Sequence, residues 1–256
     1  MHMSFTVKEE NGFKYIEECE GDVLLLLHGL FGALSNWEDV TNEFKGQYRV
    51  VIPLLPIYDL PIITTGVTTL AKHLHKFVKH KKLKNITLLG NSLGGHVGLI
   101  FTLSHPEFVK ALVLTGSSGL YENSFGGSFP RRESYDFIKE KVAVTFYDPA
   151  MATKELVDDV FATVNDRNRV IRILAMAKSA IRHNMSKELH KITIPTCLIW
   201  GEDDKVTPPD VAKEFHNLLP NSELNWVAKC GHAPMMEQPQ QFIGYLKTFL
   251  DRVLLK

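Results

Sequence analysis

Cysteine is scarce in this chain. Of 256 residues only Cys19, Cys197 and Cys230 are present, odd in number and far apart, so neither a disulfide framework nor a C-x-x-C metal or redox motif is available. A reducing compartment is the expectation. Neither sign of charge is in surplus. With 29 Lys+Arg against 29 Asp+Glu, the chain lacks the excess cations that a general nucleic-acid binder needs to neutralise phosphates, and no nucleic-acid partner is expected. Long hydrophobic runs are missing too: no purely apolar run is longer than residues 23–27, far short of the roughly 20 residues that cross a bilayer. No stable membrane association is expected. The first residues, Met1-His2-Met3-Ser4-Phe5, have neither the charged flank nor the apolar core of a secretory leader. No period of 20–50 residues repeats, and no low-complexity tract occurs. What remains is an ordinary globular composition, 45% hydrophobic and 23% charged, long enough to bury a core without staples. The expectation is a soluble, cytoplasmic chain; its oligomeric state has no signature in the sequence.

Short unalternating apolar runs recur. Residues 23–27 end in His28-Gly29, and similar runs stand at 49–55, 86–89, 111–114 and 197–200. Such runs predict strands buried on both faces of a parallel sheet. Helical patterns lie between them: Val67, Leu70, Leu74, Phe77 and Val78 share one face at 3.6-residue spacing, and segments 92–103, 211–219 and 242–255 follow. Strands alternating with helices predict an α/β fold, a mostly parallel central sheet with helices on both faces. The alternation stops over 119–189. There a loop at 123–130 precedes three helical patterns, marked by Ile138, Val142 and Phe146, then Leu156, Val160 and Val164, then Val170, Leu174, Ala177 and Ile181. The expected domain plan is therefore a core of 1–118 and 190–256 with a helical cap, 119–189, over the sheet's carboxyl edge, where open α/β sheets bind ligands.

The chemistry-bearing residues fall at strand ends. Gly90-Asn91-Ser92-Leu93-Gly94-Gly95 reads G-x-S-x-G between a strand and a helix. The glycines permit a sharp reversal that lifts the serine hydroxyl above the sheet at a helix N-terminus. Later, the strand ending in Trp200-Gly201 is followed by Glu202-Asp203-Asp204, and another ends before Gly231-His232. A nucleophilic serine needs a base to take its proton, and a histidine base needs a carboxylate to fix its tautomer. Serine, acid and histidine thus occur in chain order, with Asp203 and Asp204 both eligible on chemistry alone.

On these motifs, together with His28-Gly29-Leu30-Phe31-Gly32 and Gly201–208, the chain resembles the α/β-hydrolase superfamily in its small esterase-like and meta-cleavage-product-hydrolase-like branch, from about residue 22 to 250. The resemblance implies an α/β-hydrolase fold with a helical cap, Ser92 as nucleophile, Asp204 as the acid, and His232 as the base. It implies an oxyanion hole from the amides of Leu30, with Phe31 as the substitute, and Leu93. His28 is expected to hold the loop's backbone. An apolar pocket is expected from Leu30, Phe31, Trp37 and Leu93, core packing explaining Trp37 equally well, and Asn91 is assigned to the pocket wall. His96 is expected to be packed or solvated rather than at the site. The stretch Pro53 to Pro61 departs from the family's usual loop, and three prolines stiffen it.

No cofactor and no metal are expected, since no ligand set accompanies Glu202-Asp203-Asp204, and Cys230 reads as a small buried residue. The implied activity is that of a serine hydrolase acting on a small carboxylic ester through an acyl-enzyme, a carboxylesterase, with a small-molecule ester or acyl substrate as its partner. Two alternatives stand beside it: a carbon–carbon bond hydrolase of the meta-cleavage-product type, to which Asn91 before the serine points, and a small-molecule receptor that keeps the triad. Dehalogenase and epoxide hydrolase chemistry would need aspartate where Ser92 stands.

Overall fold

The computed structural model describes residues 5–31, 37–123 and 131–254. Gly32 of the expected loop motif, residues 124–130 of the expected 123–130 loop, residues 1–4 of the leader reading and Leu255 therefore lie outside the described residues.

Among the described residues, eight strands form one sheet in the order β1-β2-β4-β3-β5-β6-β7-β8. They are β1 Lys8–Glu10, β2 Phe13–Glu18, β3 Asp22–Leu27, β4 Tyr48–Pro53, β5 Ile86–Asn91, β6 Val109–Thr115, β7 Thr196–Gly201 and β8 Ser222–Val227. From β4 to β8 the pairing is parallel; only β1/β2 and β2/β4 are antiparallel. The unalternating β3 serves two cores at once. Because side chains alternate faces, Leu25 and Leu27 join Leu70, Leu74 and Val97 on one side, while Leu24 and Leu26 join Phe242 and Leu246 on the other.

The first core is covered by α2 (Val67–His80) and α3 (Leu93–Ser104), with α7 (Pro209–Leu218) further along; the second by α1 (Glu38–Phe44) and α9 (Pro239–Leu254), which follows the short α8 (Pro234–Glu237). The pattern reading had no place for the β1/β2 hairpin or for α1. The hairpin turns on Asn11 (φ 49°) and Gly12 (φ 79°), the Asn-Gly pair that left-handed hairpin turns favour. Its first strand, Lys8-Glu9-Glu10, is exposed throughout and so carries no apolar pattern.

Between β6 and β7 lie α4 (Tyr135–Ala143), α5 (Lys154–Asn165) and α6 (Arg167–Arg182). Each begins at a side-chain cap: Ser134, Thr153 and Asp166 accept hydrogen bonds from first-turn amides. Among the described residues of 119–189 there is no strand. The expected apolar positions are mostly inside; Ile181 is the departure, 48% exposed at the edge of a cavity that these helices cover. The Ser179 hydroxyl accepts the Val67 amide, and Arg172 Nε donates to Leu60 O at 2.7 Å, which ties α6 to the core.

Candidate active site

β5 runs straight into α3 through Ser92, whose φ of 53° and ψ of −121° fall where non-glycine residues are seldom found. Neighbouring backbone holds this strained residue. Ser92 N–H donates to Thr115 O, and Ser92 O accepts from the amides of His96 and Ser118 at 3.2 and 3.1 Å. The glycines around it are sterically required: a Cβ on Gly90 would lie 2.5 Å from Gly95 Cα, and one on Gly94 would lie 2.3 Å from Leu27 O.

The loops after β7 and β8 meet beside this turn. His232 Nδ1 lies 2.9 Å from Asp204 Oδ2. Asp204 is buried and fully hydrogen-bonded: Oδ1 accepts the amides of Val206 and Thr207, and Oδ2 accepts the Thr207 hydroxyl at 2.8 Å. Asp203, the other eligible acid, is exposed. With Nδ1 engaged, His232 keeps Nε2 for the cavity that it lines together with Ser92. Burial disfavours the imidazolium, but the Asp204 carboxylate and its hydrogen bond, helped by Glu122 and Glu237, outweigh it and raise the His232 pKa above its ordinary value. The loop is itself clamped, since His232 N–H donates to Thr145 O just past α4, and the two Glu237 oxygens accept the amides of Gly231 and Tyr147.

The loop after β3 closes over the turn. A Cβ on Gly29 would stand 3.2 Å from Ser92 Cβ. His28 is buried and lies between two loops: Leu55 N–H donates to Nε2 at 3.1 Å, so Nδ1 carries the proton and donates to Gly29 O at 2.9 Å. Burial lowers its pKa, which keeps this bridge neutral. The Tyr58 hydroxyl donates to Leu30 O at 3.2 Å. The proline-rich stretch that departs from the family pattern therefore supplies Leu55 and Tyr58 as the scaffold under Leu30.

The cavity is lined by Leu30, Phe31, Asn91 and Leu93 below and by Val142, Leu156, Val160 and Met176 from α4–α6 above. One pocket expectation changes. Trp37 does not line it: fully buried, it packs 6.3 Å from Phe242 in the second core, because α1 folds against α9 on that side of the sheet. Asn91 lines the cavity as expected, and its amide nitrogen also donates to Thr115 O and His232 O at 3.1 and 3.2 Å, which ties the ends of β5 and β6 to the histidine loop. His96 is packed away from the cavity with Nε2 3.1 Å from His183 Nδ1, and burial, with His183 nearby, pushes its pKa down to about 3. Burial and the Glu237 carboxylate push the Cys230 thiol far up, which leaves it no thiolate at neutral pH.

One group was missed. Glu122 lines the cavity with its Oε2 accepting the Ser118 hydroxyl at 2.5 Å, and burial raises its pKa despite that bond and the nearness of His232. The signal available was the Gly-Ser-Ser-Gly run at 116–119 immediately after a strand's carboxyl end, where α/β sheets collect ligand-binding groups. Among the described residues, no three His, Cys, Asp or Glu side chains converge to hold a metal ion, and no helix is long and apolar enough to cross a membrane.

A family model described as alpha/beta hydrolase fold matches residues 22–166 and 164–239. The crystal structure of an alpha/beta hydrolase enzyme from the sediment metagenome of the Mar Chica lagoon, Morocco, superposes with a TM-score of 0.80 at 44% identity, covering 96% of this chain and 98% of that one. The 2-hydroxy-6-oxo-6-(2'-aminophenyl)hexa-2,4-dienoic acid hydrolase of Metapseudomonas resinovorans is 30% identical over 93% of this chain and 87% of its own. Lipase 3 of Moraxella sp. (strain TA144) is 25% identical over 97% and 84% respectively.

Proposed function

The chain belongs to the alpha/beta hydrolase fold family, and on that premise we propose that it is a serine hydrolase cleaving a small carboxylic ester through an acyl-enzyme on Ser92. The observation that carries this reading is the 2.9 Å bond between His232 and a buried, fully hydrogen-bonded Asp204, beside a strained Ser92 that lines the same apolar cavity.

His232 Nε2 takes the Ser92 proton as Oγ attacks the ester carbonyl. The amides of Leu30 and Leu93 receive the oxyanion; a donor of this kind is worth about 10²–10³ in turnover. Asp204 stabilises the imidazolium, which then protonates the departing alcohol. A water deprotonated by His232 attacks the acyl-serine, and collapse releases the acid and restores the serine hydroxyl. Helices α4–α6 act as the cap that shapes the substrate's site.

The second reading, carbon–carbon bond hydrolysis, is favoured by the 30% identity to a dienoic acid hydrolase. That substrate carries a carboxylate. The described residues lining the cavity include no Lys or Arg, and neither 32–36 nor 124–130 contains one. Burying an unpaired carboxylate is strongly unfavourable, so the neutral ester is the better match.

The test is hydrolysis of p-nitrophenyl esters from acetate to decanoate by wild type and Ser92→Ala, with a dienoic acid substrate in parallel. Ser92-dependent ester turnover peaking at one acyl length supports the proposal. Wild type no faster than the variant on every ester, with turnover of the dienoic acid, favours the second reading.

A further inference from the structure

Among the described residues lining the cavity, His232 and Glu122 are the only ionisable side chains. His232 is accounted for by the proposed chemistry. Glu122 is not, and a carboxyl in an apolar cavity is unfavourable unless its oxygens are satisfied.

Its surroundings are built rather than incidental. Ser118 N–H is bonded to Ser92 O, and the Ser118 hydroxyl fixes Glu122 Oε2 at 2.5 Å. The next residue, Asn123, is tied to the acid loop at both ends: its amide donates to Val206 O at 2.7 Å and its Nδ2 to Lys205 O at 2.8 Å. Segment 118–123 thus spans from the serine turn to the Asp204 loop with Glu122 held inside it. Among the described residues the Ser118 hydroxyl is the one hydrogen-bond partner of this carboxyl, none of them engages Oε1, and the residue lines the cavity.

Direction follows from the reaction. His232 must hand its proton to the departing alcohol oxygen, so the alcohol half of the ester lies on the His232 side. Glu122 is on that side: the adjoining Asn123 amide is bonded to Val206 O, and the Val206 amide is bonded to the Asp204 carboxylate that holds His232.

Resting on the esterase reading above, we propose that Glu122 is a specificity-determining residue: Oε1 accepts a hydrogen bond from a hydroxyl on the alcohol half, so the preferred substrates are monoesters of hydroxylated alcohols. A hydrogen bond to a charged group stabilises enough to change kcat/KM by about tenfold or more.

The test compares 2-hydroxyethyl butyrate with propyl butyrate, which have nearly the same shape and differ in one hydroxyl. Wild type is expected to favour the hydroxyethyl ester at least about tenfold in kcat/KM. Glu122→Leu is expected to abolish that preference, Glu122→Gln to keep part of it through the amide oxygen, and Ser118→Ala to weaken it by releasing Oε2. A wild-type ratio at or below one overturns the assignment while the esterase reading stands, and so does a preference that survives in Glu122→Leu. No Ser92-dependent hydrolysis of either ester overturns the esterase reading and this inference with it.

Discussion

Asp204 Oδ2 receives two donors at once, His232 Nδ1 at 2.9 Å and the Thr207 hydroxyl at 2.8 Å. The carboxylate therefore cannot turn away from the imidazole, and Nδ1 must be the protonated nitrogen. Replacing Asp204 by Asn removes the charge and reverses the tautomer preference, with an expected loss of about 10⁴ in kcat. Thr207→Val leaves the charge and loosens its aim, for which a loss of about tenfold is expected. Steady-state kinetics on one p-nitrophenyl ester separate the two. Equal losses would mean that charge and tautomer are not what Asp204 contributes.

The pH profile carries a second signature. His232 must be neutral to act as base, and the carboxylates of Asp204, Glu122 and Glu237 raise its pKa against burial. Activity should fall as the pH drops through a limb lying above the ordinary histidine value of about 6.5. Glu122→Gln removes one of those charges, so the limb should move to lower pH. An unmoved limb would place Glu122 outside the electrostatic reach of His232.

His96 sets an acid sensitivity of the fold. Its folded pKa is pushed down to about 3, whereas the unfolded chain titrates near 6.5. Between these values the unfolded state binds a proton that the folded state does not. Stability contributed by His96 is therefore complete above about pH 6.5 and is lost progressively as the pH falls towards 3. Denaturant midpoints measured from pH 7 to 4 should fall less steeply in His96→Asn than in wild type. Identical slopes would contradict the burial of a neutral His96 against His183.

Substrate charge should matter more than acyl length near the optimum. With no cation among the described lining residues, p-nitrophenyl hemisuccinate should react about 100-fold more slowly in kcat/KM than the butyrate ester. Comparable rates would show that the carboxylate finds a partner or remains in water.

The parallel sheet was legible because β3 to β7 are apolar without alternation, so each must be covered on both faces. The serine turn was legible for a steric reason: only glycine fits at 90 and 94 where backbone passes within van der Waals distance. Asp204 over Asp203 came from the family's spacing, and the exposure of Asp203 now gives a physical ground for it. For Glu122 the Gly-Ser-Ser-Gly run at 116–119 marked only the neighbourhood, because the contacts that hold its carboxyl are tertiary. Nothing in residues 116–123 announces that Ser118 will bond to Ser92 O or that Asn123 will reach Val206. Trp37 was ambiguous for a related reason, since an aromatic after a loop suits a pocket floor or a core equally until α1 is seen to pack on α9. The β1/β2 hairpin had its Asn11-Gly12 turn in plain sight, but a fully polar first strand hid its partner.

The most direct measurement is mass spectrometry of peptides after reaction with a p-nitrophenyl alkylphosphonate, a reagent that phosphonylates an activated serine and releases p-nitrophenol. A single adduct on the peptide containing Ser92 is expected, absent in Ser92→Ala, and formed much more slowly in Asp204→Asn. An adduct elsewhere, or labelling of Ser92 at the same rate without Asp204, would contradict a nucleophile activated through His232.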